Sequence, residues 1–254
     1  MNVISINGFA FRIPEVAARY RANCSGEWGV FVTGETKEMT CSQAEKAGLT
    51  RGNFVEMALC WVDQKCLTFQ PNYINEDFTE IWGIPTAGGI KETFHEKASE
   101  LSTFLIHRQS RDKMAGLFET VSREAFNEWV ASGMQGDAHQ HGIEKAAQMY
   151  FTQIFRFELV RTKGNYGPYF FVQTTYRKAE ENNPLEMAAL EAAKQIYEAQ
   201  MSGQGFCSDP RIEENHRNCL ASLGEALPSQ TGTAELPPTK PVKLLKNSNT
   251  KGKS

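Results

Sequence analysis

The chain has 254 residues, 41% of them apolar, enough for one domain of ordinary size or a domain with an appendage. A formal charge of −3 and a pI near 6.0 exclude a global basic field, so any nucleic-acid contact must rest on a local patch. No run of about 18 apolar residues occurs, and Met1-Asn2-Val3-Ile4-Ser5 lacks the basic and apolar regions of a secretory signal, which predicts a soluble, cytoplasmic protein with no membrane span.

Residues 1–86 read as strand-rich, with short apolar or alternating runs at 9–13, 28–33, 55–62 and 66–69. A tight reversal with Asp63-Gln64 at the turn is expected between the last two. Residues 41–48 suit a single helical turn stopped by Gly48. Six cysteines, Cys24, Cys41, Cys60, Cys66, Cys207 and Cys219, form no Cys-x-x-Cys pair and no close Cys/His ladder. That argues against a zinc ribbon or finger and predicts reduced thiols, with Cys60 a small buried hydrophobe.

From about 85 to 150 the pattern is mixed and then helical. Gly83-Ile84-Pro85-Thr86-Ala87-Gly88-Gly89-Ile90-Lys91 lacks phosphate-loop spacing and is expected to be a turn or loop. The basic cluster His107-Arg108-Gln109-Ser110-Arg111-Asp112-Lys113 reads as a solvated connector that offers phosphate contacts only as a lone patch. Ser122, followed by Phe126, Trp129, Val130 and then Gly133, predicts a short capped helix whose apolar stripe faces the core. Asp137-Ala138-His139-Gln140-His141, between Gly136 and Gly142, would put Asp137, His139 and His141 together if extended. Imidazole and carboxylate suit zinc, iron or nickel, but a catalytic site needs a third protein ligand, and nothing in the sequence brings His95, His107 or Glu144 near. Plain surface histidines are the favoured reading, with no metal and no cofactor expected. A second short helix is expected over 143–150.

Residues 152–178 carry the most information. Two alternating aromatic-rich runs flank Thr162-Lys163-Gly164-Asn165-Tyr166-Gly167-Pro168, which predicts a β-hairpin. Alternation puts Ile154, Arg156, Glu158 and Val160 on one face of the first strand and Phe155, Phe157, Leu159 and Arg161 on the other, the latter set being the apolar, buried one. On the returning strand Tyr169, Phe171, Gln173, Thr175 and Arg177 make the more amphipathic face, opposite Phe170, Val172, Thr174 and Tyr176. Rings that stack on bases beside guanidinium groups that meet phosphates are what a sequence-tolerant single-strand binder requires. The same alternation suits rings packed between a sheet and a helix. The candidate nucleic-acid residues are Arg156, Arg161, Lys163, Tyr166, Tyr169, Phe171 and Arg177.

The run from Phe155 to Val172 resembles the hairpin of phage and plasmid proteins regarded as OB-fold-like single-stranded DNA binders, over about thirty residues. That resemblance implies an oligonucleotide-binding barrel serving DNA replication or recombination. The fold class expected is α+β: mainly antiparallel β, an OB-like barrel or curved sheet, with added helices and a disordered C-terminal tail.

After the hairpin, Asn183-Pro184 opens a helix over 185–201, with Met187, Leu190, Ala193 or Lys194, and Tyr197 at helical spacing and Gly203 stopping it. Residues 202–254 are rich in Ser, Thr, Asn, Pro and Gly and are expected to be largely disordered. Between 236 and 254 stand Lys240, Lys243, Lys246, Lys251 and Lys253 with no acid. A solubilising terminus is the favoured reading of that tail, ahead of nonspecific nucleic-acid affinity. The organisation expected is a β-rich core over 1–183 with a helical insertion at about 85–150, a helix over 184–201 and a tail over 202–254.

No Gly-x-Ser-x-Gly elbow and no cysteine with a His-partner signature occurs, so no catalytic residue is named and a nonenzymatic protein is expected. The leading expectation is a binder of single-stranded DNA or RNA. The rival is a protein-interaction or homo-oligomeric module using the 185–201 helix and exposed aromatics. A metal-dependent enzyme built on His139 and His141 is the weakest reading.

Overall fold

The computed structural model describes residues 2–16, 18–24, 29–33, 41–69, 71, 73–91, 98–165, 167–203 and 209–224. In chain order the elements are β1 (Asn2–Ile6), β2 (Phe9–Ile13), β3 (Ala18–Asn23), β4 (Val30–Thr33), α1 (Cys41–Lys46), β5 (Phe54–Phe69), β6 (Tyr73–Gly88), β7 (Ala98–Glu100), β8 (Ser102–His107), α2 (Gln109–Ala131), α3 (Ala138–Thr152), β9 (Gln153–Gly164), β10 (Gly167–Lys178), α4 (Pro184–Met201) and α5 (Pro210–Ser222). The chain is α+β, with the curved, mostly antiparallel sheet that the sequence predicts.

A seven-stranded sheet runs β10-β9-β5-β6-β8-β3-β4, antiparallel at every junction except β3 with β8. A three-stranded sheet, β1-β2-β7, stands beside it. Asn7 and Gly8, both at positive φ, make the tight turn between β1 and β2. The large sheet curls into a half-barrel. Its long central strands carry register shifts between Glu56 and Met57, Leu59 and Trp61, and Leu67 and Phe69, and such bulges bend and twist a ladder. The curl brings the edge strand β10 back toward β3, where the Phe170 amide donates to the Cys24 carbonyl at 3.1 Å.

Both faces of the sheet are covered, so the central strands are apolar on successive residues. On one face Val55, Met57, Leu59, Phe104, Phe155 and Phe157 meet Met114 and Val121 of α2 and Met149 of α3. On the other, Ala58, Cys60, Trp61, Trp82 and Ile84 meet Ala188, Ala189, Ala192, Ala193 and Ile196 of α4, together with Phe11 and Ile13 of the small sheet. The alanines let α4 approach closely enough to cover Trp61 and Trp82, whose rings stack at 4.7 Å.

Several expectations are corrected. There is no reversal at Asp63-Gln64: these residues pair with Glu80 and Thr79 inside the β5–β6 ladder, and the Thr79 hydroxyl donates to Gln64 Oε1 at 3.2 Å. A cross-strand partner thus satisfies Gln64, while the Asp63 carboxylate pairs with Lys65 of its own strand at 2.8 Å. The expected loop 83–88 is the end of β6, where a Cβ on Gly83 would meet Met57 Sδ at 2.5 Å. Lys91 is buried and donates to the Ala98 carbonyl at 2.8 Å. Ser122 does not start a helix: α2 begins at Gln109, and the Ser122 hydroxyl donates back to the Phe118 carbonyl at 3.1 Å. The stripe that α2 buries is Ser110, Met114, Val121 and Ala125, whereas Phe126 and Val130, expected in the core, are exposed.

The tail expectation is corrected at α5. Its N-cap Asp209 accepts from the Arg211 amide and receives the Arg19 guanidinium at 2.6 Å, and Ile212 joins Leu67 and Phe78 in a third apolar cluster. The expectation of reduced thiols fails at Cys66 and Cys219, which form a disulfide between β5 and α5. Residues 204–208 and 225–254 lie outside the described residues. No described helix is long and apolar enough to cross a membrane.

Candidate nucleic-acid interface

The hairpin register tests the alternation directly. Thr175 lies opposite Arg156, Gln173 opposite Glu158, Phe171 opposite Val160 and Tyr169 opposite Thr162. Directly opposed residues share a face, so the two amphipathic sets form one continuous surface. The other face carries Phe155, Phe157, Leu159 and Val172, all buried. β10 is the edge of the sheet, but its free backbone groups are partly taken: the Val172 amide donates to Ser110 Oγ at 2.9 Å and the Phe170 amide to Cys24.

Two candidate guanidinium groups are committed to carboxylates. Arg156 donates to Glu158 at 2.9 Å and to Glu56 at 3.1 Å while lying 4.0 Å over the Phe54 ring. Arg177 bridges Glu56 at 3.0 Å and both oxygens of Glu186, at 2.6 and 3.0 Å. Hydrogen bonding to Glu186 and Glu56 pushes the Arg177 guanidinium's pKa up. Burial pushes the Glu186 carboxyl up, but Arg177 and the Glu180 amide outweigh it and hold it below the ordinary carboxylate value. Three carboxylates against two guanidinium groups leave this corner with one net negative charge, which repels phosphate.

The free cations lie toward the hairpin's tip. Arg161 and Lys163 are exposed and have no ion-pair partner among the described residues. Tyr169 is half-buried and its hydroxyl donates to Gln109 Oε1. Phe171, also half-buried, has the Lys113 ammonium 5.5 Å from its ring centroid. Tyr166 lies outside the described residues. Reading the chain in sequence missed Phe54, Gln109 and Lys113 as parts of this surface. Lys113 was visible as basic, but only the fold separates it from its cluster, in which His107 and Arg108 contact Glu76 at 2.9 and 3.1 Å and Arg111 contacts Asp77 at 3.4 Å.

The expected extended segment around His139 and His141 is helical. Asp137 is the N-cap of α3, accepting from the His139 amide at 2.8 Å. Two residues apart on a helix is roughly 200° of rotation, so the imidazoles diverge. His141 approaches Glu128 of α2 at 3.7 Å, Glu144 accepts from Gln140 at 3.1 Å, and His95 lies outside the described residues. Among the described residues no group of three or more ligands is placed to hold a metal. Of the α4 stripe expected to offer an interface, Leu190 and Ala193 are buried against the sheet and Tyr197 is half-buried, whereas Met187 and Lys194 are exposed.

Compared over its length, the chain matches no family model, no curated protein and no solved structure.

Proposed function

We propose that the chain binds single-stranded nucleic acid, DNA in the first instance, along the outward face of the β9–β10 hairpin. The observation that supports this reading is the row Tyr169, Phe171 and Lys113 at the sheet edge, with Arg161 and Lys163, which alternation puts on the hairpin's opposite face, exposed near its tip. Two rings stacking on bases would supply about 2–6 kcal/mol, and the free cations would add salt-sensitive phosphate contacts. With a net charge of −3 on the whole chain, affinity in the micromolar range is expected. Arg156 and Arg177 serve this face indirectly, by holding its strands to Glu56, Glu158 and Glu186.

The test is anisotropy of a labelled single strand of about 30 nucleotides, titrated at two salt concentrations with duplex competitor. Binding that weakens with salt, resists duplex and falls at least tenfold in Phe171→Ala supports the reading. Absence of binding at low salt removes it.

A further inference from the structure

One side of β5 lacks a strand over most of its length. β6 pairs along the whole of β5, whereas β9 pairs only with residues 54–58, so beyond Ala58 the second edge of β5 meets no strand among the described residues. An open edge is a template for any added strand. Here α5 stands over it, with side chains that take the place of a neighbouring backbone. The Asn215 carboxamide accepts from the Thr68 amide at 2.9 Å and donates to the Thr68 carbonyl at 2.9 Å, the two bonds that a residue of an antiparallel neighbour would make. Two residues back along the same edge, His216 Nδ1 accepts from the Cys66 amide at 3.0 Å. The Cys66–Cys219 disulfide fixes the helix to the strand at that point.

Apart from the disulfide, the hold is mainly polar. The apolar residues that α4 buries are Leu190, Ile196 and four alanines, whereas α5 buries Ile212 and Cys219. With 13 residues, α5 is near the length at which an isolated helix is marginal in water, so it depends on the sheet to remain helical. Arg19 meets Asp209 at 2.6 Å with both side chains largely buried. Lys65 meets Glu213 at 2.8 Å, but that carboxylate is 41% exposed, where an ion pair contributes little.

We propose that α5 is a redox-held cap on the open edge of β5, released as a unit when a dithiol reduces Cys66–Cys219, while the rest of the sheet stays folded. One thiolate of the reductant attacks a cystine sulfur and breaks the S–S bond, and its second thiol resolves the mixed disulfide. The reductant leaves as a disulfide, and its two thiol protons end on Cys66 and Cys219. Both cysteines are buried, so the step accompanies opening of α5 and is slow, as suits a latch. Release uncovers the Cys66 and Thr68 amides and strips Ile212 from Leu67 and Phe78.

The test follows backbone amides by NMR in three samples of the full chain: oxidised wild type, wild type fully reduced by dithiothreitol as checked by intact mass, and Cys219→Ser without reductant. The expected result is that residues 210–222 lose their helical shifts in the second and third samples, with exchange there and at Cys66 and Thr68 at least tenfold faster, while Phe157, Leu159 and Val172 keep native shifts. Native shifts retained by α5 in both samples would overturn the proposal. Loss of native shifts throughout the sheet in both would also overturn it, by making the disulfide a condition of the whole fold. Should the variant alone fail to fold, the reduced wild type decides.

Discussion

Arg177 and Glu186 form a two-point ion pair that fastens the edge hairpin to α4, with contacts of 2.6 and 3.0 Å. Asn183 completes the joint: its side chain caps the helix by accepting from the Glu186 amide and donates to the Glu186 carboxylate at 3.1 Å. The group that closes the first turn of α4 is therefore the same group that receives the last residues of β10.

Glu186→Gln should cost about 1–2 kcal/mol, a charge-assisted bond discounted for the partial exposure of Arg177. Glu186 titrates below its ordinary value when folded, so its contribution is complete above the unfolded value near 4.5 and is lost as pH falls through the folded value. Urea melts of wild type and variant should differ at pH 7 and converge on acidification. A gap that persists at the lowest pH at which both fold would show that the charge is not what matters.

The Cys66–Cys219 disulfide closes a separation of 153 residues, which in the chain-entropy model is a stabilisation of about 4–5 kcal/mol. Cys219→Ser should lower stability by several kcal/mol in oxidised protein, and reductant should lower wild type toward the variant while leaving the variant unchanged. Peptide mapping without reductant should recover the Cys66 and Cys219 peptides joined. Both sulfur-bearing residues are buried, so reduction is expected to be slow in the folded state.

Basic residues of the hairpin should divide into two kinds. Arg161→Glu with Lys163→Glu should weaken strand binding and reduce the magnitude of the salt slope by roughly one to two, with no loss of stability. Arg156→Ala should do the reverse, lowering the melting temperature and leaving the salt slope intact. Equal effects of the two variants on the slope would mean that Arg156 leaves its carboxylates to meet phosphate.

Two phenylalanines separate core from surface. Phe157→Ala, fully buried between the sheet and α2, should cost about 3–5 kcal/mol, and Phe126→Asp, exposed on α2, should stay within about 0.5 kcal/mol of wild type. Chemical denaturation of both variants checks the pair.

At the hairpin and at α4, local signals and the structure agree. Alternation over β9 and β10 assigns the hairpin's two faces as the register shows them, because side chains on a strand alternate whatever the strand packs on. Asn183-Pro184 and Gly203 bound α4 because a cap, a fixed φ and a positive φ act within one turn. The candidate surface was legible as a list of residue types but not as an electrostatic site, since Glu56 lies 100 residues from Arg156 and Glu186 belongs to another element.

Composition and periodicity by themselves determined an α+β chain with a curved antiparallel sheet, an edge hairpin with one apolar and one amphipathic face, and a capped helix after it. Tertiary structure alone decided which polar residues are satisfied inside a ladder, as Gln64 is by Thr79, and which apolar stripe of α2 is buried. It also decided that the polar segment after Gly203 contains α5, a helix with few apolar residues that is held by Arg19, Lys65 and the Cys66 disulfide. The physical reason is common to all three: each depends on partners between fifteen and about 190 residues away, and a side chain's own sequence neighbourhood carries no information about them.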